Sequence, residues 1–185
     1  MTCIVGIKVE GEGVYIGGDR IGVAGTHKES YKRPKVFKNG NIIFGVGGCF
    51  RTMQVLEFNF TVPDKKEHQS DDNFIYTTLL DSMLACLKNS GVDINDPPYK
   101  VILGYKGRLF TFQDSFILEP INNYTAIGSG IYCAGASLYS TKNTNLSPKE
   151  RIKLALESAN DIMTNVDNNI DIVFQEYRSM ELSND

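Results

Sequence analysis

Histidine is nearly absent from this chain of 185 residues: it occurs twice, at His27 and His68. That scarcity speaks against a Ser-His-Asp triad and against a histidine-built metal site, and no metal ligand set is assigned. Cysteine is also sparse. Cys3, Cys49, Cys86 and Cys133 are far apart and mostly set in apolar runs, so they read as reduced packing residues of an intracellular, cytoplasmic protein, not as a disulfide framework. No stretch approaches the roughly 18 to 20 apolar residues of a membrane span. Residues 1–6 lack the basic region, apolar block and cleavage site of a signal peptide. An excess of positive charge is missing too. With 19 Lys+Arg against 22 Asp+Glu the net charge is −3, which disfavours nucleic-acid binding by counterion release. No GxxxxGK[ST] string occurs, so the chain carries no phosphate-binding loop for ATP.

What remains is an ordinary globular composition, 42% hydrophobic and 22% charged, expected to form one domain over residues 1–185 with a loose tail at 178–185. No internal repeat is found. Residues 2–9 and 14–18 are β-like and flank the turn residues Glu10-Gly11-Glu12-Gly13. A second hairpin is expected where residues 35–37 and 42–46 flank Asn39-Gly40. Cys49, Met53, Leu56 and Phe60 share a helical face, as do Ile75, Leu79, Leu80 and Met83. Between them, residues 62–72 are polar and read as a surface loop. After Pro97-Pro98, residues 101–105 and 109–112 predict a third hairpin about Gly107, and 124–127 a short strand. Residues 131–140 look helical. Ser147-Pro148-Lys149-Glu150 is a helix start with an N-cap serine, and a last strand is expected at 170–174. The order of hairpins, helices, hairpins, helices and strand suits an α+β domain of two stacked sheets covered by helices.

The most informative constellation lies at the N-terminus. If the first hairpin turns about Gly11-Glu12, residues whose numbers sum to about 23 lie opposite each other. Asp19 then faces Ile4, on the same sheet face as Thr2 and one diagonal step away, although a one-residue slip moves it to the other face. Thr2 directly follows Met1, and a small second residue permits removal of an initiator methionine. Removal frees an α-amine whose ordinary pKa of about 7.7 to 8.0 leaves it substantially neutral near physiological pH. Such an amine can take the proton of its own hydroxyl, directly or through a water, and no histidine is needed. The plain alternative is a β-prone threonine that starts a strand.

Thr2-Cys3-Ile4-Val5-Gly6, Gly17-Gly18-Asp19-Arg20, Lys35-Val36-Phe37 and Phe44-Gly45-Val46-Gly47-Gly48 together resemble the N-terminal half of proteasome β-type peptidases. Ala126-Ile127-Gly128-Ser129-Gly130 is similar to the glycine-serine-glycine segment of that family. The helix around Ala155-Leu156-Glu157-Ser158-Ala159 is similar to the matching helix of the bacterial HslV-like branch. The motifs keep the family order over most of the chain, and the compact length with no propeptide before Thr2 favours that branch.

The resemblance implies an N-terminal-nucleophile hydrolase fold, a four-layer αββα sandwich. It implies Thr2 as nucleophile, Asp19 as the acid that holds Lys35, and Lys35 as the cation beside the hydroxyl. It further implies the backbone N–H of Gly47 as oxyanion donor and Ser129 as a partner of the amine. Asp167 matches the family's C-terminal aspartate, although Asn168-Asn169-Ile170 supply none of the expected serine. Gly45, Cys49 and Met53 would form the pocket for the residue before the scissile bond, and the small residues at 45 and 49 predict a roomy one. Pro34 removes a backbone donor just before Lys35, which predicts an edge or bulge. No cofactor is required; a monovalent cation held by backbone carbonyls near the last helix is compatible with the family. The implied activity is threonine endopeptidase in a homo-oligomeric ring acting on unfolded proteins or peptides, with a separate ATPase unfoldase. Two other classes stay open: an inactive, structural or inhibitory ring subunit, and an amidohydrolase of non-peptide substrates.

Overall fold

The computed structural model describes residues 2–94 and 99–177. The expected tail at 178–185, Met1 and the Pro97-Pro98 break lie outside them. β1 (Cys3–Val9) and β2 (Gly13–Gly18) form the first hairpin. Its turn is Glu10-Gly11-Glu12, closed by the Glu12 N–H donating to Val9 O at 3.1 Å, with Gly11 in the left-handed region at φ 73°. A three-residue loop centred on Gly11 pairs Ile4 with Gly18 instead of Asp19, so the register expected from sequence is one residue off. β2 ends at Gly18, and strand alternation no longer dictates where the Asp19 side chain points.

β10 (Tyr124–Gly128) pairs with the far side of β1, and β11 (Asp171–Glu176) with the far side of β2, giving the sheet order β10-β1-β2-β11. The second sheet is β5-β6-β7-β8-β9: Val36–Asn39, Ile42–Gly47, Lys100–Tyr105, Arg108–Gln113 and Phe116–Leu118. A separate hairpin of β3 (Ile21–Ala24) and β4 (His27–Ser30) stands at the end of β2. β5 is an edge strand, as the proline at 34 leads one to expect, and Lys35 lies just ahead of it.

The sheets face each other through Ile4, Val14 and Ile16 on one side and Ile43, Ile102 and Leu109 on the other. β1, β2 and β6 are covered on both faces, so they read as continuous apolar runs rather than alternating ones. On the outside of the first sheet lie α4 (Ile131–Ser140) and α5 (Pro148–Ile162), which bury Ala134, Leu138, Ile152, Ala155 and Leu156 against Cys3, Val5 and Ile7. α5 starts with a reciprocal cap: Ser147 accepts from the Glu150 N–H while the Glu150 carboxylate accepts from the Ser147 N–H.

The second sheet is covered by α1 (Phe50–Gln54), α2 (Asp71–Asn73) and α3 (Leu80–Asn89), joined to the wider π-helical stretches Val55–Asn59 and Phe74–Leu79. Met53, Leu56, Ile75, Leu79 and Met83 pack there on Phe44, Val101 and Phe110. The four layers are helices, sheet, sheet, helices: an αββα sandwich of the α+β class. Among the described residues no helix is long and apolar enough to cross a membrane.

Candidate active site

Five strand ends meet at one end of the sandwich. Thr2 stands just before β1. Because β1 and β10 pair Cys3 with Gly128, the next residue, Ser129, falls beside Thr2. Gly128 adopts φ 92°, and a Cβ there would lie 2.1 Å from Thr2 O, so this turn admits glycine alone. Asp19 follows β2 and is held by its N–H donating to Cys3 O at 3.3 Å. Lys35 precedes β5, and its carbonyl accepts from the Val46 N–H at 2.9 Å. Gly47 ends β6; a Cβ on it would stand 3.5 Å from Thr2 Cγ2.

The side chains connect in a line. Lys35 Nζ donates to Thr2 Oγ1 and to Asp19 Oδ1, each at 2.6 Å. The Thr2 N–H donates to Ser129 Oγ at 3.3 Å, and Ser129 Oγ lies 3.2 Å from both Thr2 O and Asn165 Oδ1, to either of which it can donate. Thr2, Asp19 and Lys35 are all buried. Burial pushes the Asp19 carboxyl up to about 6, against the opposing pull of Lys35. Burial likewise draws the Lys35 ammonium below the ordinary lysine range, with Asp19 resisting. The thiol of Cys3, which packs in the helix-side core, is pushed up to about 12 by burial and then by the Asp19 charge.

A pocket of about 100 Å³ opens beside Thr2 and Lys35. Its walls are Gly22 and Val23 of β3, Val46 of β6, Gly48, and Cys49, Phe50 and Met53 at the start of α1. Among the described residues no group of three or more His, Cys, Asp or Glu side chains could hold a metal ion.

The ATP-dependent protease subunit HslV of Caldicellulosiruptor saccharolyticus is 30% identical over 179 residues, spanning 93% of this chain and 97% of that relative. The chain belongs to the HslV family of proteasome-like N-terminal-nucleophile peptidases. No family model matches it. Solved structures share the fold at low identity. The BPH protein of Thiobacillus denitrificans in complex with epoxomicin matches with a TM-score of 0.79 at 16% identity, over 96% of this chain and 100% of that one. The eukaryotic HslV of Trypanosoma brucei matches at 0.68 and 16% identity over 95% and 99%. Anbu from Hyphomicrobium sp. strain MC1 matches at 0.66 and 17% identity over 95% and 82%.

Within this HslV-family chain, the residues singled out from sequence divide into two groups. Thr2, Asp19, Lys35 and Ser129 are linked directly, Gly47 borders Thr2, and Cys49 and Met53 line the pocket. Asp167 makes no hydrogen bond to that line, but its charge raises the Asp19 carboxyl and supports the Lys35 ammonium, and Gly45 lies between the sheets. Asp167 accepts from the Arg20 N–H at 3.3 Å, from the Asn169 N–H at 3.2 Å and from the Ser30 hydroxyl, so it ties the β3–β4 hairpin to the segment before β11. Burial raises its carboxyl, but the bonds from Ser30, Asn169 and Arg20 outweigh that and hold it below the ordinary range.

Gly45 is not a pocket residue. A Cβ there would meet Ile4 Cγ2 at 2.5 Å and Ile16 Cγ2 at 2.7 Å, so its missing side chain lets the two sheets approach. Strand alternation gives the pocket wall to Val46 instead. Sequence reasoning also missed Asn165, Ser30 and the Arg20–Asp171 ion pair, whose two bonds are each 2.6 Å. These are single polar residues in short or irregular segments, and no local pattern marks them in the sequence.

Proposed function

We propose that the protein is a threonine endopeptidase that works as one subunit of a ring-shaped compartmental protease, with Thr2 as nucleophile once Met1 is removed. The observation that carries this reading is the buried line Asp19–Lys35–Thr2, with the Thr2 nitrogen against Ser129. After Met1 is lost, the neutral Thr2 amine takes the proton from Oγ1, directly or through a water. Oγ1 attacks the peptide carbonyl, and the carbonyl oxygen gathers negative charge and accepts a hydrogen bond from the Gly47 N–H. The C–N bond breaks, the leaving amine takes the proton, and water then hydrolyses the Thr2 ester. Lys35 supplies the positive field that favours the deprotonated hydroxyl, and Asp19 keeps the ammonium in place.

Assembly is supported by apolar side chains left in water on the isolated chain: Ile121, Tyr132, Tyr139 and Ile162 are all largely exposed. The Caldicellulosiruptor relative carries the name of a subunit of an ATP-dependent protease, which supports a separate ATPase as partner and protein substrates delivered to the ring. The test combines intact mass, sedimentation and hydrolysis of fluorogenic peptides. The reading expects loss of Met1, a ring-sized species and turnover abolished by Thr2→Ala. Retained Met1 with a ring but no turnover would favour the inactive subunit. Turnover of small amides but not peptides would favour the amidohydrolase.

A further inference from the structure

Arg20, the residue after Asp19, ties three segments of the chain together. Its guanidinium donates to both oxygens of Asp171, Nε to Oδ2 and Nη2 to Oδ1, each at 2.6 Å. The remaining nitrogen, Nη1, donates to Lys32 O at 2.7 Å. The Arg20 carbonyl accepts from the Tyr31 N–H at 3.1 Å. Asp171 is itself fixed to the sheet, since it opens β11 opposite Gly18, the last residue of β2.

These contacts reach Lys35 through a stiff stretch of chain. Only Arg33 and Pro34 separate Lys32 from Lys35. Pro34 fixes its own φ and steers Arg33 toward extended backbone. Arg33 is held again from outside: its Nη1 donates to Glu57 at 2.8 Å and its guanidinium lies 4.7 Å over the Phe58 ring. On the far side of Lys35, its carbonyl is bonded to Val46. The place of the Lys32 carbonyl therefore sets the place of the Lys35 Cα, from which the side chain runs to Thr2 and Asp19.

We propose that Arg20 is a positioning residue: locked by Asp171, it holds the backbone at Lys32 so that the Lys35 ammonium stays within bonding distance of both Thr2 Oγ1 and Asp19 Oδ1. The proposal rests on the threonine-peptidase reading of the same site. Asp19 precedes Arg20 directly, so one clamp fixes both ends of the Asp19–Lys35 pair relative to each other. The task needs a planar fork with a further donor beside it, which arginine has and a single ammonium lacks. Arg20 touches neither Thr2 nor the pocket beside it, so its effect passes through Lys35 alone.

The test measures chemistry at Thr2 separately from the number of intact sites. Processed, assembled protein is treated with a peptide vinyl sulfone. Thr2 Oγ1 bonds to the β-carbon of the double bond, the Oγ1 proton passes to the α-carbon, and nothing leaves. Intact mass follows the adduct, and fragmentation places it. The end point counts intact sites, the rate constant at saturating reagent reports the hydroxyl's activation, and the half-saturation concentration reports binding. Arg20→Lys should lower that rate constant at least about tenfold, since a misplacement of about 1 Å can cost roughly 10²-fold. Its end point should match the wild type, and its half-saturation concentration should stay within about twofold. Asp171→Asn leaves the bond to Lys32 O and should slow labelling less. The double variant should be no slower than Arg20→Lys, because Asp171 acts through Arg20. Both side chains are partly exposed, at 29% and 21%, so the variants keep the core, and melting temperatures check this. A lower end point with an unchanged rate constant overturns the proposal and leaves Arg20 a purely structural role. So does a change confined to half-saturation, or no change at all. Wild-type protein that forms no adduct at Thr2 overturns the peptidase reading and the proposal with it.

Discussion

Asp19 and Lys35 form an ion pair closed to water: Oδ1 and Nζ are 2.6 Å apart, with side-chain exposures of 0% and 3%. The second carboxylate oxygen, Oδ2, is buried without a hydrogen-bond partner. A pair like this is a poor source of stability, because desolvation of both ions offsets their attraction. Its value is positional: it keeps an ammonium against Thr2 Oγ1. Removing one partner strands the other. Asp19→Ala is therefore expected to destabilise the fold by about 3 to 5 kcal/mol, and Asp19→Leu combined with Lys35→Met by much less. All three substitutions should abolish peptide hydrolysis. Urea denaturation of the single and double variants measures the difference; equal destabilisation in both would contradict the account.

The same pair separates stability from activity along the pH axis. The folded Asp19 carboxyl holds its proton up to about 6, while an unfolded aspartate releases it near 4. Between those values the folded state binds more protons than the unfolded state. Stability from this group therefore falls as pH rises through about 4 to 6, and its penalty is fully present above that window. Activity runs the other way, because only the ionised carboxylate anchors the Lys35 charge. Lowering the pH from 7 to 5 should cut kcat/KM while this group's contribution to the melting temperature rises. Thermal unfolding of the wild type and Asp19→Asn over that range isolates the contribution, which the amide variant should lack.

Gly128 and Gly135 provide a contrast within a few residues of each other. Gly128 holds φ 92° with Thr2 O where a Cβ would go, so Gly128→Ala should cost about 3 kcal/mol or more and shift Thr2 out of line with Lys35. Gly135 lies inside α4 with open space around its missing Cβ, so Gly135→Ala should stabilise by roughly 0.4 to 1 kcal/mol. Calorimetry on the two variants tests both signs.

Much of this architecture is legible in the sequence where local chemistry is strong. The Ser147-Pro148-Lys149-Glu150 start places α5 to the residue, and the Lys106-Gly107 turn between β7 and β8 follows from left-handed φ at both positions, 47° and 73°. Legibility fails where one residue decides. Gly11 makes a three-residue loop of what reads as a two-residue turn, and every pair in the hairpin shifts by one. β4, with the sequence His-Lys-Glu-Ser, is wholly exposed and has no apolar alternation to reveal it. Gly45 and Val46 exchange roles because the alternating face of β6 depends on which sheet lies behind it. The line from Asp19 through Lys35 to Thr2 survives the register shift, since the lysine side chain spans the gap that strand pairing was expected to close.

Ser129 gives the sharpest test of how the N-terminal amine is handled. Its hydroxyl accepts from the Thr2 nitrogen at 3.3 Å and lies outside the pocket beside Thr2. In the processed protein that nitrogen is a primary amine, and its charged form donates more strongly to Ser129 than its neutral form does. Ser129→Ala removes this preference for the charged form, so the amine should lose its proton at a lower pH. The rising limb of the kcat profile should move toward acid. The amine is also less well oriented, so kcat at the optimum should drop by about 10²-fold, within the usual range for a positioned proton-transfer group. KM should change little. Stopped-flow or steady-state profiles from pH 6 to 9 measure all three effects. A limb that stays in place while kcat falls would assign Ser129 to holding the chain near Gly128, through its contacts with Thr2 O and Asn165, and not to tuning the amine.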